Sequence, residues 1–374
     1  MPRAVIIGAG IAGTATAIGL TRAGWHVTVH ERATHPETSG AALGMWPTAI
    51  TALDQLGAGD AVRAVATPQH AGTVRRPDGT LLARLDTERI TRHPGDHVRL
   101  IARRDLAHIL GTALPAETIH HHSAVHGSAD DIARGRVDTE TDGAAPGREA
   151  GSPALADVVV VADGVFSAHR TALLGERYRA RYTGQSALRG RVAVVTHEVS
   201  ETWGPGRRFG VTPYLDGTTN WYASLDAPRG QRAAGGEVAL LRGLFAGWHA
   251  PIGQVLEALT EDDVMRHDLY DVHPHLPTYV AGRAVLVGDA AHGMTPDLGR
   301  GACEAVVDAV TLTRCLTDAE GHLRAGGVDR ALARYDRLRR RPTQRLQTLA
   351  RGMGRVAHAR RFTGARDLLL RVAR

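Results

Sequence analysis

The opening 31 residues constrain the architecture more than any other part of the chain. Ala4-Val5-Ile6-Ile7 is a continuous apolar run that stops at Gly8, as a strand buried on both faces does. Residues 11–23 place Ala, Ile, Leu and Thr at helical spacing and stop at Gly24, where a residue just past a helix end favours glycine. His26-Val27-Thr28-Val29-His30 reads as a second strand and delivers Glu31 at its end. Between the first strand and the helix lies Gly8-Ala9-Gly10-Ile11-Ala12-Gly13. In such a turn Gly8 allows the chain to reverse, Gly10 lets the backbone approach a pyrophosphate, and Gly13 lets helix and strand touch. The phosphates then rest on the helix N-terminus. With 43 glycines in 374 residues, three glycines at fixed spacing match by chance roughly half the time. The strand before, the helix after and Glu31, placed to take both ribose hydroxyls, turn the match into a dinucleotide site. Arg32 alone would hint at a 2′-phosphate.

Further along, a helix is expected over 47–57, opening at Pro47. Pro77-Asp78-Gly79 predicts a hairpin within 73–97, and a helix is expected over 103–113. Residues 130–154 read as a surface loop or irregular hairpin. Val158–Val161 and Ala284–Val287 are continuous buried strands, and each runs into a further signature. These are Asp163-Gly164-Val165-Phe166-Ser167-Ala168-His169-Arg170 and Gly288-Asp289-Ala290-Ala291-His292. Residues 182–226 alternate in polarity and predict several antiparallel strands. Residues 236–263 are expected to be helical with a break at Pro251, and the chain from 301 onward to be helical with a break at Pro342.

Composition excludes several classes. Hydrophobic residues make up 43% and charged residues 22%, as in ordinary globular proteins. All 45 basic residues are arginine; they are scattered among acids, which argues against nucleic acid as a partner. No apolar run approaches a membrane span, and the N-terminus lacks a signal-peptide pattern. Cys303 and Cys315, roughly 18 Å apart along one expected helix, are too distant for a disulfide. A reducing cytoplasm is the expected compartment. The arginines at 337, 339, 340, 341 and 345 read as a solvated, salt-bridged helix face, and residues 363–374 as amphipathic and basic but too short for stable membrane anchoring.

Taken together, the three signatures, Arg103 in Ile101-Ala102-Arg103-Arg104-Asp105-Leu106, and Pro296 with Gly299-Arg300-Gly301-Ala302 resemble the single-component FAD monooxygenases of the p-hydroxybenzoate hydroxylase type. The smaller urate and salicylate hydroxylases are the most similar members. The resemblance implies an α/β fold: a Rossmann-like, three-layer FAD-binding domain on a mostly parallel sheet, an inserted antiparallel-sheet substrate domain and C-terminal helices. It assigns residues 1–72, 98–175 and 265–374 to the first unit, and 73–97 and 176–264 to the second. It implies non-covalent FAD held by Gly8, Gly10, Ile11, Ala12, Gly13, Glu31 and Arg32 at the first signature. Arg103 and Val125 follow, then Asp163 and Gly164, then Asp289 on the ribityl chain, with Gly299, Arg300, Gly301 and Ala302 beside the ring. Ser167 and Arg170 belong to a segment associated with FAD and NAD(P)H together. The helix beginning at 301 would point its positive end at the ring's pyrimidine. NAD(P)H, with no nucleotide-binding unit of its own, and O2 are the implied co-substrates. The implied product is a small aromatic, heteroaromatic or polyketide-like molecule, hydroxylated or epoxidised through a flavin C4a-hydroperoxide.

Substrate contacts are sought among Arg189, Arg191, Tyr214, Trp221, Tyr222, Met294 and Pro296. Trp221 and Tyr222 are neighbours on a strand, so one of them faces the pocket, and the resemblance favours Tyr222. No catalytic base stands out. Arg300 replaces the family's usual glutamine, and Cys303 and Glu304 its usual amides. Arg300 could stabilise an anionic flavin, reach the substrate or point to solvent. His292 is expected to pack behind the aspartate loop, and His120-His121-His122 to be a solvated strand end rather than a metal site. The absence of lysine and of a Trp-x-Trp-x-Ile-Pro run argues against halogenation. A FAD-dependent reductase or dehydrogenase without oxygen transfer stays open, as does a non-catalytic flavin-binding protein. A monomer or homodimer is expected.

Overall fold

The computed structural model describes residues 1–34, 42–86, 97–141, 154–214, 216–318, 323 and 327–372. Parts of two expected segments, 87–96 of the hairpin region and 142–153 of the loop, lie outside the described residues.

A six-stranded sheet carries the dinucleotide-type unit, in the order Val280–Ala281, Ala284–Leu286, Val158–Val161, Arg3–Ile7, His26–His30, Ile119–His120. All neighbours are parallel except the first pair. Ile6 stands in register with Val160 on one side and Val29 on the other, and all three are fully buried. That is why these strands read as unbroken apolar runs: they are covered on both faces. The Ile11–Arg22 and Gly301–Leu316 helices pack so closely that a Cβ at Gly19 would overlap the Thr313 hydroxyl. Residues 123–141, read partly as loop, form the strand Ser123–His126 paired antiparallel with Arg136–Thr141, and Val125 and Val137 join the same core.

A seven-stranded sheet forms the second layer system. Its order is Met265–Val272, Ala180–Val192, Thr219–Asp226, Arg207–Pro213, Val199–Gly204, Ala71–Arg75, Leu81–Asp86. All pairs are antiparallel except Ala71–Arg75 with Val199–Gly204. The strand Met265–Val272, which the sequence places with the first unit, is an edge strand of this sheet. One face is apolar. Leu188, Phe209, Val211, Trp221 and Leu225 pack there against Leu241, Phe245 and Val255 from two covering helices. The period-2 alternation leaves the opposite face polar, and that face looks toward the first unit.

Pro342 does not end a helix. Gly327–Ala357 runs through it without interruption. The only internal bond that proline removes is the one to the Leu338 carbonyl, and both residues lie on the exposed side, where water can take its place. The inward positions Tyr335, Arg339, Thr343, Gln347 and Ala350 stay buried, and the Thr343 hydroxyl donates to the Arg339 carbonyl at 2.8 Å. Packing of this face outweighs the local defect. The histidine run sits as expected: His121 and His122 are exposed just past a strand end, and no metal-ligating cluster occurs among the described residues. Nor is any described helix long and apolar enough to cross a membrane.

Candidate functional site

Three loops converge at the ends of the central strands. Gly8 has φ +101°, and a Cβ there would stand 2.6 Å from the Ala162 carbonyl oxygen. A Cβ at Gly13 would overlap the Gly8 carbonyl oxygen, so the helix rides directly on the turn. Gly10 is the N-cap, and nothing lies within 4 Å of where its side chain would be. The first helical turn holds no acidic residue, leaving its positive end open. Glu31 braces this turn: its carboxylate accepts from the Ala9 amide at 2.8 Å and the Ala33 amide at 2.9 Å. Arg32 is exposed beside it.

The second and third loops are tied to the first by the sheet: the Ala162 amide donates to Ile7 O at 2.9 Å and the Val287 amide to Val161 O at 3.0 Å. Gly164 has φ +81°. Asp163 Oδ2 accepts from His169 Nδ1 at 2.9 Å, while its Oδ1 is buried with no partner. Ser167 caps the Ala168–Leu174 helix by accepting from the Arg170 amide. Arg170 is fully buried and donates to the carbonyls of Tyr178, Val165 and Ala290. Arg170 thus ties the second loop to the third through the Ala290 carbonyl, and Ser167 caps the helix that carries it.

Asp289 is exposed at the start of the third loop, and its Oδ1 would lie 3.7 Å from a Cβ on Gly301, the first residue of the next helix. Behind it runs a buried chain of charges. Asp308 accepts from the Gly288 amide at 2.8 Å, His292 Nε2 at 2.6 Å and Arg339 Nε at 2.6 Å. Burial alone would raise the Asp308 carboxyl, but His292 and Arg339 hold it down at about 2. His292 is thus a packing residue, as expected. Arg339 also donates to Glu304, whose other oxygen accepts from Arg300 at 2.8 Å. The Arg300 guanidinium lies 5.2 Å from the centre of the Trp46 ring. Arg300 folds back on its own helix and on Trp46, so its charge is largely answered by Glu304. Cys303 donates to Gly44 O at 3.1 Å and is buried, as is Cys315, and neither forms a disulfide. Arg103 opens the Arg103–Thr112 helix and is half-buried, and Val125 lies in the core.

On the second sheet, Arg189, Tyr222, Gly210 and Glu201 form one cross-strand row. Trp221 points the other way, fully buried and stacked on Phe209 at 5.8 Å. The Tyr222 ring lies where a Cβ on Gly210 would be, which is why glycine stands there. Burial, and then the Glu201 carboxylate, push the Tyr222 phenol well above its ordinary value, so it is a donor rather than a base. Next to this row Arg208 is buried, 2.9 Å from Glu201 Oε1 and 2.5 Å from Asp297 Oδ1. Asp297 lies in the Pro296–Leu298 turn, so this ion pair bolts the second sheet to the loop leading into the Gly301–Leu316 helix. Met294 is half-buried and Pro296 exposed on the same loop. Tyr214 and Arg191 do not join the row. Arg191 lies over the Tyr214 ring and is held by Asp216 and Thr218, at a turn beyond the strand end. The sequence reading missed Arg208, Glu201 and Asp297. The available signal was a charged residue on the same strand face as Tyr222; Asp297 carried none, being 89 residues from its partner.

His358, 6% exposed, stands behind this ion pair. Burial, and then Arg208, lower it to about 4, against an opposing pull from Asp226 at 3.3 Å that does not reach hydrogen-bond geometry. A depressed histidine contributes stability that is complete above its unfolded value near 6.5 and is lost as pH falls toward 4. With the unfolded value near 6.5 and the folded one at about 4, the loss across that window should be about 3 kcal/mol. Urea unfolding at pH 7 and pH 5 should show the loss in the wild type, and His358→Gln should flatten it.

The fold and the three loops have known counterparts. A family profile described as an FAD binding domain matches residues 2–350. The chain belongs to this FAD-binding family. It is 36% identical to the aurachin C monooxygenase/isomerase of Stigmatella aurantiaca, over 90% of this chain and 84% of that protein. It is 29% identical to the FAD-dependent urate hydroxylase of Mycolicibacterium vanbaalenii, over 96% and 89%. The structure of Klebsiella pneumoniae HpxO complexed with FAD and uric acid superposes with a TM-score of 0.86 at 26% identity, covering 99% of this chain and 93% of that one.

The residues present fit FAD. Open space in front of Gly10, at a helix end without acids, suits a pyrophosphate. The unpartnered Asp163 oxygen and the exposed Asp289 carboxylate are acceptors without donors, and the ribose and ribityl hydroxyls of FAD are donors.

Proposed function

We propose that this protein is an NAD(P)H-consuming FAD monooxygenase that inserts one oxygen atom of O2 into a small, electron-rich aromatic or heteroaromatic ring, by hydroxylation or epoxidation. In this reading the amides of Gly10 to Gly13 hold the pyrophosphate, with Glu31 and Arg32 at the adenosine end beside Arg103 and Val125. Asp163, Gly164 and Asp289 take the sugar hydroxyls, and Gly299 to Ala302 lie at the ring. Bound FAD supplies the two-electron store, filled by NAD(P)H, that activates O2 at the C4a position. The chain's own groups do the rest. The substrate ring lies between the Arg189–Tyr222 row and the Met294–Pro296 loop, with residues 73–97 and 176–264 as its unit. Neutral Tyr222 donates to a ring oxygen, and Arg208, paired with Glu201 and Asp297, holds the sheet face and the loop in the spacing that orients the ring.

The observation that carries this reading is the Arg208–Asp297 ion pair, which fixes the polar sheet face against the loop beside the flavin-binding helix. The two relatives act, by their names, on aurachin C and on urate, and they support a small-molecule substrate. The reading needs no nucleic acid and no metal, and it suits a cytoplasmic monomer or homodimer. FAD-loaded protein given NADH or NADPH, 18O2 and a panel of phenols, purines and quinolones should oxidise the nicotinamide faster with one of them. The product should gain one labelled oxygen atom. A reduced product without label would replace the monooxygenase by the reductase reading.

A further inference from the structure

Residues 337–374 contain twelve arginines and a single carboxylate, Asp367. The salt-bridged face expected here is only partly present. Arg339, Arg340, Arg351, Arg360 and Arg366 turn to Glu304 and Asp308, Asp336, Asp271, Asp226 and Asp367 respectively. Asp367 is itself buried. Arg337, Arg341, Arg345, Arg355, Arg361 and Arg371 are exposed and have no ion-pair partner among the described residues.

The same segment holds seven of the thirteen large apolar side chains that are exposed among the described residues. Leu338, Leu349, Met353 and Val356 are spaced by eleven, four and three, which keeps them along one flank of the Gly327–Ala357 helix over roughly 27 Å. Arg337, Arg341, Arg345 and Arg355 occupy the adjoining outer face. Phe362 (85% exposed), Leu368 and Leu369 continue the apolar surface around the Thr363–Val372 helix.

A second copy of this chain is a poor occupant, because two such faces would bring arginine rows together with no exposed acid between them. A nucleic acid would leave the aliphatic groups unused, since a base needs an aromatic or planar partner to stack on and Phe362 is the segment's only aromatic residue. Phosphate headgroups answer the guanidinium groups and acyl chains answer the leucines, and arginine stems can lie along apolar surface while their heads reach the phosphates. We propose that the outer face of the Gly327–Ala357 helix, with the Thr363–Val372 helix, is a reversible docking surface for an anionic lipid bilayer. The helix does not span the membrane; it lies on it. The surface backs onto the candidate site: a Cβ at Gly354 would stand 2.8 Å from Asp297 Oδ2.

The test is co-sedimentation of the FAD-loaded protein with phosphatidylcholine vesicles, with and without 30% phosphatidylglycerol. The protein should pellet with the anionic vesicles at 50 mM NaCl, stay in solution with the neutral ones, and be released at 0.5 M NaCl. Arg341→Glu/Arg345→Glu and, separately, Leu349→Ser/Phe362→Ser should each lower the bound fraction at least fivefold, with bound FAD and melting temperature unchanged. No pelleting with anionic vesicles would overturn the proposal. So would pelleting that either variant leaves intact, or a solution dimer that Leu349→Ser/Phe362→Ser dissociates.

Discussion

Gly10→Ala should fold like the wild type and fail to hold FAD, whereas Gly13→Ala should lose stability and FAD together. The two glycines lie three residues apart in one turn, yet their surroundings differ. Gly10 has φ −69° and ψ −179°, which alanine adopts without strain, and a methyl group there would meet no protein atom within 4 Å. Its stability cost is that of a poorer N-cap, about 1 kcal/mol at most. The methyl does, however, fill the space where a phosphate must approach the helix amides. An overlap of that kind is worth about 3 kcal/mol, roughly a hundredfold in affinity. At Gly13 the added Cβ would overlap the Gly8 carbonyl oxygen and crowd the Ala162 Cβ at 3.3 Å. The helix must move off the strand, and the core below it, including fully buried Ala15 and Ile6, must open. FAD fluorescence titration paired with urea unfolding separates the cases. A Gly10→Ala protein that binds FAD as tightly as the wild type would mean the phosphates lie elsewhere.

Such contrasts mark how far the sequence could be read. The central strands were legible because burial on both faces leaves an unbroken apolar run, as in Val158–Val161, and because each glycine turn sits directly after one. That Tyr222 and Trp221 face opposite sides was legible from period-2 alternation, while the choice of Tyr222 for the pocket rested on the resemblance. Three features were not. Pro342 carries a strong local signal for a helix end, and nothing local reports the buried face from Tyr335 to Ala350 that overrides it. Arg170 reads as a ligand in its motif, but burial turns its guanidinium to three carbonyls of the protein. Arg300 and Glu304 looked like two separate departures from the family pattern. The structure makes them one ion pair, completed by Arg339 from another helix. Two of these misses involve a partner remote in sequence, Ala290 for Arg170 and Arg339 for Glu304, and a single chain carries no mark of such pairings.

The Arg208–Asp297 pair is another case of a remote partner, and it supports the second large prediction. Arg208→Met should bind FAD normally, lose stability, and yield little oxygenated product for the O2 it consumes. Methionine fills similar space without the charge, so Glu201 and Asp297, the latter with its side chain 1% exposed, are left facing each other without a cation. Breaking a buried pair in this way costs about 3–5 kcal/mol. Activity should fall for a separate reason. Without the bolt the sheet face is no longer held against the loop, and a misplacement of about 1 Å costs roughly a hundredfold in rate. The double variant Arg208→Met/Asp297→Asn tells the two effects apart. Removing the orphaned charge should restore part of the stability in urea, while the yield of product per O2 stays low. If stability and product yield recovered together, the ion pair would not be what orients the ring, and packing of the sheet against the loop would suffice.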